Sequence, residues 1–337
     1  MPRNKAAVSI RDVAAAAGVS VATVSRVLSP ASADIVVREE TRDRVVRAIN
    51  ELGYRPNDLA RALLQQRTST IGLVLPDISN PYYPPLVRGV EDAASQLGYR
   101  VVLCNTDRDP AKTAAYLDTL VKARVDGVIV AGGNLSELPG HPRVFETYRT
   151  KLVMVGRHGL AHPSVRVDNT AATEDATAHL IGLGHRGIAF LGGPEGSSTA
   201  QDRLLGHRRA MAAAALPTAE RVAGFDEHGG YDAARSLLTG TPPTALLCAN
   251  DRMAFGAYAA LADAGLAVPA DVSVVGFDDV PMASYVRPTL TTVAVPTYEL
   301  GRAAMRLLQD ALDGSAATEP VLLPTRLVHR ASCARLA

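Results

Sequence analysis

From residue 70 to the end of the chain, short continuous apolar runs alternate with segments of helical period, and this alternation restricts the fold more than any other feature. The runs at 71–75, 101–104, 127–130, 152–155, 188–191, 245–248 and 272–277 read as strands. Between them, 86–97, 111–122, 171–183, 201–214, 231–238 and 252–264 space apolar residues as helices do. Strands without polar alternation are buried on both faces, so the sheets are parallel and covered by helices on each side. About a dozen strands is more than one open sheet comfortably holds, which predicts two doubly wound lobes. With 337 residues, 47% of them apolar, the chain can bury such a core and still carry a further domain.

The first 66 residues follow another pattern. Ile10-Arg11-Asp12-Val13-Ala14-Ala15-Ala16-Ala17-Gly18-Val19-Ser20 reads as a short helix ended by a glycine turn. Ser9 caps it, and Asp12 sits in the first turn, where a carboxylate suits the positive helix end. Gly18 can take the left-handed conformation that stops a helix. Ser20 caps a second helix over 21–28, whose Val24, Val27 and Leu28 form one buried stripe. Its other side presents Val21, Ala22, Ser25 and Arg26, a small apolar, hydroxyl and guanidinium surface suited to major-groove edges and phosphates. An ordinary helical hairpin in a small bundle fits the same spacing. A third amphipathic helix over 39–52, with Val45, Ile49 and Leu52 inward and Gly53 as its stop, is followed by Pro56 and a segment at 57–66. A helix of barely three turns there is marginal in water by itself.

In that order these elements resemble the LacI/GalR family of bacterial transcription regulators. The resemblance is carried by Asp12-Val13-Ala14, Gly18-Val19-Ser20, Thr23-Val24-Ser25-Arg26-Val27, Glu40-Thr41-Arg42, Leu52-Gly53-Tyr54-Arg55-Pro56-Asn57 and Ala60-Arg61, and it continues over nearly the whole chain. It implies an all-α helix-turn-helix head (1–56), a hinge helix and linker (57–69), and an α/β sensor (70–337) that binds effector and dimerises. The sensor would consist of two doubly wound, periplasmic-binding-protein-like lobes: lobe 1 about 70–165 and 295–320, lobe 2 about 166–292 and 321–337. The implied DNA contacts are Ser9, Ile10, Ser20, Val21, Ala22, Thr23, Ser25, Arg26, Tyr54, Asn57, Ala60 and Leu63. Arg26 can pair bidentately with guanine, and the small residues can touch a thymine methyl. The 57–66 segment would fold fully only on specific DNA, where Leu63 would wedge into the minor groove.

Charge is distributed accordingly. Residues 1–67 hold 11 Lys and Arg against 7 Asp and Glu, net +4; the remainder holds 24 against 27, net −3. A basic head on a slightly acidic body fits a nucleic-acid-binding module joined to a sensor. The three cysteines, Cys104, Cys248 and Cys333, are isolated in sequence and read as free thiols in a reducing cytosol. No apolar leader or membrane-length run is present, so the expected location is cytoplasmic, on the nucleoid. The glycine turns at 131–134 and 192–196 fit neither G-x-G-x-x-G nor a Walker loop, and Asp278-Asp279 are too close in sequence to flank one substrate. The sequence therefore predicts no enzyme and no cofactor.

In parallel sheets, ligands meet the carboxyl ends of the strands. Asp77, Arg157, Asn250-Asp251 and Asp278-Asp279 follow strands there, Arg203 lies on the helix after the 192–196 turn, and Tyr82-Tyr83 open the first sensor helix. Carboxylates, an amide and a guanidinium suit vicinal hydroxyls, and tyrosines can cover a ring face. Asp251 is expected to cap the following helix. The resemblance implies effector contacts at Arg203, Asn250 and Asp278 and ring stacking by Tyr82, Tyr83 and Phe225. Two departures stand out. Gly156-Arg157 replace the aspartate that relatives often present after the fourth strand. The loop at 29–38 is about three residues longer than usual, at little entropic cost, and ends in Arg38 where a serine cap is usual.

The expected protein is a dimeric repressor, tetrameric at most, that binds a pseudo-palindromic operator. A small effector, a sugar or sugar derivative, controls it. A soluble sugar-binding receptor without DNA function, or a regulator responding to a nucleoside or nucleobase, are the alternatives.

Overall fold

The computed structural model describes residues 8–28, 37–54, 67–132, 150–159, 162–315 and 319–336. The chain separates into two compact units, 1–68 and 69–337.

In the first unit, helices α1 (Ile10–Ala17), α2 (Val21–Leu28) and α3 (Glu39–Leu52) enclose Val13, Ala14, Ala17, Val24, Val45 and Ala48. Each helix end has a local cause. The Asp12 carboxylate turns back to accept from the Ser9 N–H (2.8 Å) and Oγ (2.7 Å), which holds its pKa below the usual carboxylate value. Gly18 takes φ 63° and Gly53 φ 62°, ending α1 and α3 in left-handed caps. Ser20 Oγ accepts from the Thr23 N–H at 3.1 Å and so caps α2. Arg38, at the equivalent position before α3, makes no side-chain cap bond. One inward assignment needs correcting. Leu52 is 37% exposed, because the chain leaves α3 at Gly53 and Tyr54 folds back onto the core in its place; Ala48 fills the stripe between Val45 and Ile49.

The second unit contains two six-stranded sheets. The first has the order β11-β5-β4-β3-β1-β2, from β1 (Thr70–Leu75), β2 (Arg100–Asn105), β3 (Gly127–Ala131), β4 (Lys151–Val155), β5 (Ser164–Val167) and β11 (Val321–Leu323). The second has the order β12-β10-β9-β8-β6-β7, from β6 (Ile188–Gly192), β7 (Ala219–Val222), β8 (Ala245–Cys248), β9 (Ser273–Asp278), β10 (Thr291–Ala294) and β12 (Arg326–Val328). Every pairing is parallel except β12 against β10. The helices are α4 (Tyr83–Gln96), α5 (Pro110–Lys122), α6 (Asn169–Gly182), α7 (Ser198–Ala213), α8 (Glu227–Leu237), α9 (Asp251–Asp263) and α10 (Thr297–Leu312).

Burial explains why these strands lack polar alternation. Ile71, Leu73, Ile129 and Val153 enter one hydrophobic cluster, while Val74, Val128, Val130, Leu152 and Met154 enter a second on the opposite face. Both faces of the central strands β1, β3 and β4 are thus removed from water, whereas the edge strand β2 leaves Val102 and Leu103 exposed.

The chain passes between the lobes after Val167, after Ala294 and between Leu323 and Arg326. The third passage differs from expectation. Residues 321–323 were assigned to lobe 2, yet they pair in parallel with Val165–Val167 and complete the first sheet. β7, not foreseen, is the edge strand Ala219-Glu220-Arg221-Val222; most of it is exposed, so it needs no apolar run.

Candidate functional site

The outer face of α2 presents Val21 (41% exposed), Ala22, Ser25 and Arg26, opposite buried Val24. Thr23 is half-buried, its hydroxyl 2.9 Å from that of Ser20. Ser9 and Ser20 are exposed, whereas Ile10 and Tyr54 pack against the three-helix core. Asn57, Ala60 and Leu63 lie outside the described residues.

In the second unit, Tyr82, Tyr83, Arg157, Arg203, Phe225, Asn250 and Asp278 all line one cavity of about 400 Å³. They come from both lobes, beyond the carboxyl ends of β1, β4, β7, β8 and β9 and on the second turn of α7. The centre is Arg203, on α7 and only 5% exposed. Its Nε donates to Asn169 Oδ1 (3.0 Å), Nη1 to the Ala249 carbonyl and Nη2 to Asp278 Oδ1 (3.2 Å). The guanidinium also lies 3.6 Å from the centroid of Phe277. One side chain thereby joins the start of α6 to the ends of β8 and β9. Burial pushes the Asp278 carboxyl up to about 6, although the Arg203 charge opposes the rise.

The cap expected of Asp251 is made by Asn250, which lines the cavity as well. Asn250 caps α9: its Oδ1 accepts from the Met253 N–H at 2.8 Å, and its Nδ2 donates to the Phe225 carbonyl at 3.2 Å. Asp251, fully buried, turns inward and accepts from the Val280 N–H (2.8 Å) and the Thr292 hydroxyl (2.5 Å). Burial and the neighbouring Asp278 charge raise its pKa well above the carboxylate range.

The aromatic walls are also locally determined. Tyr82 and Tyr83 meet edge to face, centroids 5.0 Å apart, and Asn80 Oδ1 accepts from the Tyr82 N–H at 3.0 Å. Burial moves the Tyr83 hydroxyl up to about 12. Phe225 packs against the turn after β6; a Cβ at Gly193 would sit 2.2 Å from its ring, so a larger residue there would displace the ring.

Arg157 lines the cavity but spends its donors on the opposite lobe. Nε bonds Asp202 at 2.9 Å, Nη2 reaches the Ser198 carbonyl (3.3 Å) and Gln201 (3.4 Å), and Ser198 Oγ donates back to the Arg157 carbonyl (3.0 Å). A second cross-lobe contact runs from Arg252, held by Glu227 at 2.8 and 2.6 Å, to Asp77 at 3.7 Å. Asn169, Phe277 and Asp202 were missed from the sequence. Asn169 had a usable signal, since it too follows a strand end; Phe277 and Asp202 had none. Among the described residues no group of His, Cys, Asp or Glu is disposed to hold a metal ion.

An exposed helix face in a helix-turn-helix unit and a polar cavity between two parallel-sheet lobes in the other are the two parts of a ligand-responsive regulator, and comparison with known proteins agrees. Residues 9–57 match the family model for bacterial regulatory proteins of the lacI family, and 177–333 match a periplasmic binding protein-like domain. The transcriptional regulator RegA of Clostridium saccharobutylicum is 41% identical, over 97% of this chain and 99% of its own. The ribose operon repressor of Halalkalibacterium halodurans is 39% identical, over 96% of each. A crystal structure of the Lac repressor dimer bound to operator and an anti-inducer superposes with TM-score 0.88 at 31% identity, covering 97% of this chain and 99% of that one. The chain belongs to the LacI family of bacterial transcription regulators; it is a regulator and not an enzyme, and the reading as a receptor without DNA function falls away. No described helix is long and apolar enough to cross a membrane.

Proposed function

We propose that the protein is a homodimeric repressor whose paired α2 helices read a pseudo-palindromic operator on chromosomal DNA, and whose cavity binds a sugar or sugar derivative that changes operator affinity. The observation that carries this reading is the cavity itself. Arg203, Asp278, Asn250 and Asn169 line it from the second lobe and Tyr82, Tyr83 and Arg108 from the first, so a ligand there touches groups that shift relative to one another when the lobes rotate. Coupling of about 1–3 kcal/mol between two such sites would change operator affinity roughly five- to 150-fold. Polar groups paired with stacked rings suit a polyol, and a relative named for a ribose operon supports the sugar class.

Val21, Ala22, Ser25 and Arg26 are the base-reading group on this proposal, with Ser9, Ser20 and Thr23 toward phosphates. Arg157 is assigned to the lobe contact in preference to the effector. The test is footprinting of the full chain on its own promoter region, followed by titration with sugars. Protection of a two-fold related site that a sugar abolishes or strengthens supports the reading. Absence of a sequence-specific footprint rejects it.

A further inference from the structure

The cavity has more positive charge than a neutral sugar can use. Among the described residues, the charged side chains lining it are Arg108, Arg157, Arg166, Arg203 and Asp278. Arg203 is matched by Asp278 and Arg157 by Asp202. Arg108 and Arg166 have no carboxylate partner among the described residues.

For Arg108 this is not for want of acids nearby. Asp107 is taken by Lys112 at 2.5 Å and by Asn105. Asp109 caps α5, accepting from the Ala111 N–H at 2.7 Å. Asp77 accepts from the Ser79 N–H and hydroxyl (2.9 and 2.6 Å) and faces Arg252 on its other oxygen. The three carboxylates on the segments that follow β1 and β2 are thus engaged elsewhere, and the Arg108 guanidinium lies instead over the Phe225 ring of the other lobe, 5.5 Å from its centroid. Its backbone is held at φ 59°, uncommon for a residue with a Cβ, by an N–H donated to the Pro76 carbonyl at 3.1 Å. The side chain therefore starts from a fixed point at the rim, beside the ring that stacks against a sugar. Arg166 adds a second positive charge, on β5. Three strands stand between β5 and β2, the strand that Arg108 follows, and the anion is assigned to Arg108 because its guanidinium already lies on Phe225.

We propose that the effector is an anionic sugar, bearing a phosphate or a carboxylate that binds Arg108 while its ring lies on Phe225. The inference rests on the cavity being the effector site. A guanidinium gains charge-assisted, bidentate hydrogen bonds from either oxyanion that a hydroxyl cannot match.

Calorimetric titration of the full chain at fixed ionic strength tests this with matched series: ribose and ribose 5-phosphate, glucose, glucose 6-phosphate, gluconate and glucuronate, and inorganic phosphate alone. The expected result is that one sugar phosphate or sugar acid binds at least tenfold tighter than its neutral parent and than inorganic phosphate, and that R108Q removes the difference. Which series responds separates phosphate from carboxylate. Equal binding of neutral and anionic members, no binding by any anionic member, or a preference that survives R108Q overturns the proposal. Arg203→Ala separates the two claims: anionic sugars that bind it as tightly as they bind wild type lie outside the cavity, which rejects the effector site as well.

Discussion

The head and the sensor bury residues for opposite ends. The head encloses six small aliphatic side chains and keeps the residues proposed to read DNA, Val21, Ala22, Ser25 and Arg26, on the outside. The sensor surrounds its proposed effector residues with a core that covers both faces of the central strands of the first sheet, and its Arg203 and Asp278 are nearly inaccessible. Function on an exposed face asks only that the helix exist. Function in a buried site asks that each charge be matched. Mutations should therefore fail in different ways in the two regions.

The largest effect is expected at the head core. Val45→Asp places an unpaired charge among the five other buried aliphatic residues of the head, where burial costs several kcal/mol, and a unit this small has little stability to spare. Loss of operator binding with an unchanged sensor melting transition is the expected calorimetric and gel-shift result; retained operator binding would show the core to be plastic.

Next is Arg203→Ala, which strands the Asp278 carboxylate; breaking a buried pair by removing one partner costs about 3–5 kcal/mol. Effector response should vanish while operator binding remains. Asp278 itself makes the sensor pH-sensitive. Its folded pKa, about 6, lies above the ordinary 3.8, so the protonated form is favoured by folding. That stabilising contribution is complete below about 3.8 and is lost as pH rises through 6. Asp278→Asn should flatten the melting profile over that window, and an unchanged profile would assign the titration elsewhere.

Arg26→Ala, on the exposed face, should cost about 1–3 kcal/mol of specific operator binding with no change in melting temperature. Equal loss of specific and non-specific binding would remove its base-reading role. The smallest effect belongs to Arg157→Ala. Its side chain is 42% exposed, so the stability lost should stay below about 1 kcal/mol, read as a slight drop in melting temperature with altered effector affinity.

The same contrast governs what the sequence could disclose. In the head, α2 and α3 have the bounds expected from caps and glycine stops, because those signals are local. In the sensor, buried strands announce themselves as apolar runs, but edge strands such as β7 and β11 do not, being partly wet and short. All seven expected cavity residues line one cavity because strand ends fix where ligands meet a parallel sheet. Which of two adjacent polar residues caps α9 was not legible: Asp251 is turned inward by Val280 and Thr292, partners far along the chain. Arg157 was read as facing a ligand, yet its nearest acid lies 45 residues away on the other lobe.

The three passages between lobes have a consequence for synthesis. The head can complete its core once residue 54 has emerged, whereas the first sheet gains β11 only at residues 321–323, and α10, packed against α4, arrives only slightly earlier. On the ribosome, lobe 1 therefore waits, unfinished, through the making of nearly all of lobe 2. A truncation in the last twenty residues would damage the lobe begun first as well as the one begun last, while leaving the core of the head intact.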